Sequence, residues 1–216
     1  MKRFLAILTV LTLVMVAGGR AAAAPKPSLT PRSWELDFEF HDPVRITLTL
    51  PGGDQPTTFW YLLYSVTNNT GREIEFYPTF HLVTDTLRVV EAGNRISPSV
   101  HQAIRARHKK EYPFFVDPPA VYGSLKQSED NRLTSAAVFC GFDPEASRFT
   151  IYVGGLSGEM VRLTNPAFDP LKAESDKNLR FFILRKTLAI HYSLPGDSRT
   201  RNMAVAARVS REWVMR

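Results

Sequence analysis

The sequence predicts a mainly β chain that folds as an antiparallel β-sandwich with one short helix. Apolar residues alternate with polar ones over many short segments, and Gly, Pro, Asn and Asp clusters separate these segments. The one convincing helical pattern is at residues 97–110, so the alternation of strand and helix that marks a parallel sheet is absent. Strands at such short spacing are typical of a sandwich, and residues 33–216 suit a single domain of this class.

The N-terminus has the features of a secretory signal peptide over residues 1–24. Lys2 and Arg3 precede an apolar run, and alanines fill residues 21–24. The run is short for a membrane span and Arg20 follows it, so cleavage is favoured over the alternative of a membrane anchor. We therefore expect an exported protein, periplasmic or extracellular, with an extended leader at residues 25–32 and no transmembrane span after cleavage.

The expected mature chain carries little charge. The full sequence has a formal net charge of +6, and removal of the signal peptide takes away Lys2, Arg3 and Arg20 but no acidic residue. This leaves 24 of the 27 basic residues against 21 acidic ones, a formal charge of +3. So small a charge argues against a nucleic-acid partner.

Cysteine and histidine content argues against disulfides and metal sites. Cys140 is the only cysteine, so no intramolecular disulfide can form, and its apolar neighbours predict a buried, unreactive thiol. The five histidines lack the short spacings typical of zinc ligands. We therefore expect neither a metal nor another cofactor.

The first strands are predicted at residues 34–40 and 44–50, where alternation indicates one buried face. Residues 59–67 are apolar or aromatic on both faces, which predicts a central strand that is covered on both sides. After an Asn-Asn-Thr-Gly turn, residues 74–82 alternate again. The sequence therefore predicts a β-hairpin that joins residues 59–67 to residues 74–82.

The helix predicted at residues 97–110 has clear terminal signals. Ser97 suits the N-cap, and Pro98 suits the first helical position. His101 and His108 share a face with Arg105, which is typical of a solvent-facing stripe.

The remaining elements are expected to be strands joined by polar loops. A second hairpin is predicted from residues 134–142 and 149–153, whereas residues 123–132 are expected to be a loop. The C-terminal segment has both helical and strand features, and a strand is favoured in its last seven residues. Further strands are predicted at residues 87–91, 112–116, 160–163 and 180–194.

Several short motifs follow one another in a recognisable order. Residues 64–71 read Tyr-Ser-Val-Thr-Asn-Asn-Thr-Gly, residues 80–85 read Phe-His-Leu-Val-Thr-Asp, and residues 137–139 read Ala-Val-Phe. The order resembles uncharacterised exported bacterial proteins with an immunoglobulin-like sandwich. Residues 211–216, Arg-Glu-Trp-Val-Met-Arg, are also similar to the end of a planctomycete-type secreted family. The resemblance implies an immunoglobulin-like fold and export, and it implies no activity.

No complete catalytic motif is evident. Ser157 follows a glycine-rich turn, but Glu159 stands where the nucleophile elbow of α/β-hydrolases requires glycine. Glu129, Asp130 and Asn131 lack the spacing of a calcium loop. Glycoside hydrolysis requires two facing carboxylates, and the sequence identifies no such pair. A hydrolase remains an alternative if its site is assembled only in three dimensions.

The densest basic patch lies towards the end of the predicted helix. Basic residues there suit the helix dipole, and a binding surface for an anionic polymer or membrane is the alternative. The patch comprises Arg105, Arg107, His108, Lys109 and Lys110.

The sequence therefore predicts an exported, non-catalytic β-sandwich that serves as a protein- or envelope-interaction module. Its partner would be an unknown protein or a component of the cell envelope. The two alternatives are the hydrolase and the binder of anionic surfaces described above.

Overall fold

A computed structural model describes residues 24–197 and 201–216, so the predicted signal peptide falls almost entirely outside the described residues. The described chain is mainly β with one α-helix. Its strands are β1 (Asp37–Phe40), β2 (Val44–Thr49), β3 (Pro56–Thr67), β4 (Ile74–Phe76), β5 (Thr79–Thr84), β6 (Val89–Glu91), β7 (Gly123–Leu125), β8 (Leu133–Cys140), β9 (Arg148–Gly154), β10 (Met160–Thr164), β11 (Phe181–Ser193) and β12 (Ala207–Met215). The helix is α1 (Pro98–His108), and short 3₁₀ helices cover Pro118–Ala120, Glu129–Asn131 and Arg201–Met203.

The first sheet is organised around β3. Strands β1 and β2 pair with successive halves of one side of β3, and β8 pairs with its other side, all antiparallel. Tyr61 and Leu62 point to opposite faces, and both are fully buried. The prediction that this strand is central and covered on both faces is confirmed.

The second sheet is organised around β11. Strands β9 and β10 pair with one side of β11, and β12 pairs with the other side. Strand β5 pairs with β9, and β6 forms the edge beyond β5. The C-terminal segment has both helical and strand features in sequence. In the structure it is a strand, as predicted for its last seven residues. A separate two-stranded sheet joins β4 to β7.

The two larger sheets enclose the main hydrophobic core. Leu62 from the first sheet belongs to one buried cluster with Ile151 and Ile190 from the second. Helix α1 covers the outer face of the first sheet, where Val100 and Ile104 pack in a cluster with Tyr61. Full burial of an aliphatic side chain contributes roughly 1.5–3 kcal/mol, so both faces of β3 are stabilised by packing. The predicted antiparallel β-sandwich with one short helix is confirmed, whereas the immunoglobulin-like topology stays a prediction.

Both predicted hairpins are wrong in their pairing. Strand β3 does not pair with β4 or β5, because β4 pairs with β7 and β5 belongs to the second sheet. Strands β8 and β9 also lie in different sheets. The segments are strands as expected, but the chain leaves the first sheet after β3, for the small sheet and then β5, and again after β8, for β9 of the second sheet. Alternation specifies which face of a strand is buried, and it carries no information on which strand lies beside it.

Two local predictions also need correction. Residues 112–116 form no strand and make only an isolated bridge, from Phe115 to Thr134. Residues 123–132, expected to be a loop, contain β7 and a 3₁₀ helix. None of the helices in the described residues is long and apolar enough to cross a bilayer.

Helix α1 begins as predicted but differs in its cap and its faces. Pro98 occupies the first turn, and Ser97 stands at the N-cap. The Ser97 hydroxyl lies 2.9 Å from the Ser99 hydroxyl and does not cap the helix backbone. His101 is buried and His108 is half-buried, so the predicted solvent-facing histidine stripe is wrong.

Candidate functional site

A cavity of about 660 Å³ opens where the edges of the two large sheets approach each other. The connection from β6 to α1 crosses between the sheets here, and the Gly93 N–H donates to the Val138 carbonyl of β8 at 2.9 Å. We call this cavity the tyrosine groove. Its lining comprises Tyr64, Tyr77, Pro78, Thr79, Phe80, Glu91, Ala92, Gly93, Asn94, Ile96, His101, Pro118, Pro119, Tyr122, Ala136, Ala137 and Val138.

Two tyrosines form the exposed part of the groove. Tyr77 and Tyr122 are 58% and 57% exposed, and their rings are nearly parallel, with 6.3 Å between centroids and 23° between planes. The pairing of β4 with β7 explains this geometry. Phe76 lies opposite Gly123 at the end of the ladder, so the next pair outward is Tyr77 with Tyr122. The small sheet therefore positions the two rings side by side.

The turn after β3 holds this small sheet in place. Asn68 is fully buried, and its Nδ2 donates to the Leu125 carbonyl of β7 at 2.7 Å and to the Arg72 carbonyl at 2.8 Å. The Asn68 carboxamide oxygen accepts from the Thr70 N–H at 3.1 Å, which is the geometry of an Asx turn. The Asn-Asn-Thr-Gly turn predicted from sequence thus connects the first sheet to β7, the strand that directly follows Tyr122.

Gly155 allows the chain to pass close to Tyr77. Its φ of +84° lies in the left-handed region, and a Cβ there would approach the Tyr77 carbonyl oxygen to 2.7 Å. Any other residue would both strain the backbone and displace the segment that carries Tyr77. Near the ring, the Tyr77 hydroxyl donates to the Glu75 carboxylate at 3.2 Å, and this hydrogen bond raises the pKa of Tyr77.

His101 is the buried histidine among the residues that line the groove. His101 is only 8% exposed, and its Nε2 has no hydrogen-bond partner among the described residues. Burial lowers the pKa of His101, although nearby Asp117 acts in the opposite direction. Asp117 pairs with Arg105 through Oδ2, while its Oδ1 is buried without a hydrogen bond among the described residues. A buried unsatisfied polar atom costs about 1–3 kcal/mol, so two neighbouring ones call for an explanation.

The polar groups of the groove lining are one carboxylate and several neutral side chains. Glu91 is the only carboxylate among the described lining residues, whereas hydrolysis of a glycosidic bond usually requires two facing carboxyl groups. Thr79 and Asn94 add a hydroxyl and an amide, and none of the described lining residues is Lys or Arg. These groups can donate and accept hydrogen bonds, and they form no nucleophile–base pair.

A different arrangement on the outer face of the second sheet has features of a catalytic relay. The Thr150 hydroxyl lies 2.9 Å from His191 Nδ1, and His191 Nε2 lies 3.3 Å from a Glu212 carboxylate oxygen. Thr150 and His191 line a cavity of about 440 Å³. However, β9 is paired on both sides, so its backbone N–H groups are used in the sheet and do not form an oxyanion hole. The Glu212 side chain is also 63% exposed.

The basic patch predicted from sequence is not one free surface. Arg105 forms an ion pair with Asp117, and Arg107 Nη1 donates to the Arg45 carbonyl at 3.1 Å. His108 Nε2 lies 2.9 Å from the Tyr61 hydroxyl on the outer face of β3. Lys109 and Lys110 are exposed beyond the helix. Binding of an anionic polymer or membrane by these five residues stays a prediction.

The most deeply buried charges lie away from the groove. Lys186 is 2% exposed, and its Nζ lies 2.8 Å from Glu35 Oε2 and 3.6 Å from Glu159 Oε2. Glu159 Oε1 accepts from the Ser28 N–H at 2.9 Å, so this group ties the leader to the sandwich. The Lys186 ammonium also lies 4.8 Å from the centre of the Trp213 ring. We call Ser28, Glu35, Glu159 and Lys186 the lysine cluster.

Among residues 24–197 and 201–216, no three His, Cys, Asp or Glu side chains are placed to hold a metal ion. Cys140 is half-buried at the end of β8, less covered than expected from its neighbours.

The main groove residues were not identified from sequence. Tyr77 lies in the alternating segment at residues 74–82, whereas no element is predicted at Tyr122, which immediately precedes the loop expected at residues 123–132. Their proximity depends on the pairing of β4 with β7, for which the sequence offered no signal beyond a short apolar alternation. No protein-family model, no curated protein and no solved structure matches this chain.

Proposed function

We propose that the chain is an exported, non-catalytic β-sandwich that acts as an interaction module and binds a component of the cell envelope through the tyrosine groove. The observation that carries the proposal is the pair of exposed tyrosine rings beside His101, a buried imidazole whose Nε2 has no partner among the described residues. A concave site with aromatic walls and few polar groups is the usual form of a ligand-binding site.

Export is part of the same proposal. The signal-peptide pattern at residues 1–24 and the resemblance to exported bacterial proteins support it. The low charge expected for the mature chain favours a partner recognised by shape and hydrogen bonding over one recognised by charge.

Retention on isolated envelopes tests the proposal. Mature protein would be mixed with the envelope fraction of its source organism, and the bound share would be measured for the wild type and for a Tyr77→Ser, Tyr122→Ser double variant. We expect the wild type to be retained and the double variant to be lost, because the variant removes both exposed rings.

A matched control is available at Phe114, which is 88% exposed and does not line the groove. Phe114→Ser removes a comparable exposed ring, so it should leave retention unchanged. Equal retention of the wild type and the double tyrosine variant would rule out the groove as the interaction surface.

A second candidate function is hydrolysis at Thr150, favoured by the hydrogen bonds that connect it through His191 to Glu212. A threonine hydroxyl within hydrogen-bond distance of a histidine base meets the first geometric requirement of nucleophilic catalysis. A panel of ester, peptide and glycoside substrates tests this function. Turnover that is abolished in Thr150→Val would establish it, and equal rates for the wild type and Thr150→Val would exclude Thr150 as the nucleophile.

A further inference from the structure

The tyrosine groove combines flat aromatic surface with hydrogen-bonding groups of low net charge. Tyr77 and Tyr122 expose more than half of their surfaces, so a ligand can contact a ring face without any rearrangement of the core. The volume of about 660 Å³ lies within the range of about 300–1,000 Å³ that is usual for small-ligand sites. The groove is therefore large enough for more than a single small functional group.

The charges of the lining exclude strongly charged ligands. Among the described residues the lining has no Lys or Arg, so none of them balances a phosphate, sulfate or uronate group. Glu91 would repel such an anion, and burial of His101 disfavours its charged form. One carboxylate is also a weak site for a highly basic partner. The ligand that fits is uncharged.

The unpaired atoms indicate which uncharged group the ligand carries. In a neutral imidazole Nε2 is either a donor or an acceptor, depending on the tautomer, and a hydroxyl group can pair with it in both cases. The Glu91 carboxylate requires donors, whereas the Asn94 amide offers both donors and an acceptor. A ligand with several hydroxyl groups satisfies all three side chains.

We propose that the tyrosine groove binds a neutral saccharide, with a sugar ring against Tyr77 and Tyr122 and its hydroxyl groups bonded to Glu91, Asn94 and His101. The C–H faces of a pyranose ring pack against aromatic rings, and the hydroxyl groups at its rim reach planar amide, carboxylate and imidazole groups. This inference rests on the proposed envelope-binding function and specifies the class of its ligand.

A proline-rich peptide is the competing ligand, because such peptides also dock on tyrosine-lined grooves. A proline-rich backbone offers mainly carbonyl acceptors, since proline has no N–H. Such a ligand leaves the Glu91 carboxylate without a donor, so the groove fits the saccharide better.

Calorimetric titration of the mature protein with neutral oligosaccharides tests the inference. The probes are cello-, malto-, xylo-, manno- and chito-hexaose, together with a synthetic peptide of residues 25–32, the chain's own proline-rich segment. We expect saturable binding of at least one saccharide. Tyr77→Ala and Tyr122→Ala should each weaken it by about tenfold, the scale of one lost aromatic contact.

Conservative variants separate stacking from hydrogen bonding. Tyr77→Phe and Tyr122→Phe keep the rings, so each should bind within about threefold of the wild type by the usual scale of aromatic contacts. Asn94→Ala should weaken binding while leaving the rings in place. Phe114→Ala is the matched control and should have no effect. Circular dichroism and thermal unfolding of each variant show whether it is folded.

The outcomes distinguish this inference from the function on which it rests. If envelope retention depends on the tyrosines but no saccharide binds or competes, the ligand class is wrong while the envelope-binding function stands. If the peptide of residues 25–32 binds and the Tyr77→Ala and Tyr122→Ala variants lose it, the ligand is a peptide and the inference is overturned. Saccharide binding that is equal in the wild type and both Ala variants also overturns it.

Discussion

The lysine cluster and the tyrosine groove both bury polar groups, but they treat them in opposite ways. In the lysine cluster the ammonium of Lys186 contacts two carboxylates, and Glu159 also accepts a backbone hydrogen bond from Ser28. In the groove, His101 Nε2 has no partner among the described residues. Glu159 Oε2 also lacks a hydrogen bond among the described residues, but it lies 3.6 Å from the Lys186 ammonium, whereas His101 belongs to the lining of a cavity that a ligand can enter.

The comparison predicts opposite responses to removal of the polar group. In the lysine cluster the remaining charges would lose their partner, and the free energy of unfolding would fall. In the groove no protein partner would be lost, and an apolar replacement would be tolerated. Substitutions in the two regions test this difference.

Lys186→Met should have the largest effect on stability. It leaves Glu35 and Glu159 close together without their cation, and breaking a buried ion pair from one side costs about 3–5 kcal/mol. Urea unfolding measures the loss. Lys172→Met is the control, because the Lys172 side chain is 75% exposed and its ion pair with Asp169 is at the surface. A similar small change in both variants would show that the lysine cluster does not stabilise the fold.

Gly155→Ala should destabilise the chain and weaken ligand binding together. Strain at a positive φ costs about 1–3 kcal/mol for a residue other than glycine, and the new Cβ would also lie 2.7 Å from the Tyr77 carbonyl oxygen. Gly71→Ala is a matched control, since its φ is +87° and its Cβ would meet nothing within 4 Å. Urea unfolding measures the loss of stability in both variants. The amount by which the loss in Gly155→Ala exceeds that in Gly71→Ala is the cost of the contact with the Tyr77 carbonyl oxygen. Equal losses would contradict it.

The stability of the lysine cluster should depend on acidic pH. The Ser28 N–H lowers the pKa of Glu159, burial opposes this, and Lys186 lowers it further. A carboxyl whose folded-state pKa is depressed stabilises the fold fully above its unfolded pKa of about 4.3, and the stabilisation is lost as pH falls through the folded value. Unfolding curves between neutral pH and about pH 3 measure this loss.

Glu159→Gln provides the control for the pH prediction. It removes the titrating group. Below the unfolded pKa of about 4.3, the free energy of unfolding should therefore fall less steeply with decreasing pH than it does in the wild type. Curves of equal slope for the wild type and Glu159→Gln would show that Glu159 does not carry the acid dependence.

His101→Met should leave the fold as stable as the wild type or stabilise it by up to about 1 kcal/mol, because it replaces an unsatisfied buried group with an apolar one. Thermal unfolding measures this, and envelope retention should fall in the same variant. Gln102→Met, on the exposed neighbouring position, controls for helix propensity. A loss of stability as large as that of Lys186→Met would show that His101 is a structural residue.

The fold could be predicted from sequence where the residues of a single segment indicate which of its faces are buried. Nine nearly uncharged residues leave β3 no polar face, so its central position follows from composition alone. Strand partners could not be predicted in the same way, because β3 pairs with β8 about seventy residues further on, as the Tyr64–Ser135 register pair shows. Such pairing depends on how whole layers pack, and a single segment does not encode it.

The site was harder to predict than the fold for a related reason. Helical spacing placed His101 and His108 correctly on one side of α1, but spacing does not show what covers that side. The segment after the helix folds back over it, as the ion pair between Arg105 and Asp117 shows. A residue that sequence reasoning assigned to solvent thus became the buried polar group of the groove.

The smallest expected effect concerns the basic residues beyond α1. Lys109→Gln with Lys110→Gln should change stability by less than about 0.5 kcal/mol, since both side chains are exposed and surface charges contribute little. Envelope retention should also stay unchanged in this variant and should be insensitive to added salt, because Glu91 is the only Asp, Glu, Lys or Arg among the described lining residues of the groove. Retention assays at low and high ionic strength measure both effects. Retention that falls with salt and is lost in the double variant would move the interaction from the tyrosine groove to the basic patch predicted from sequence.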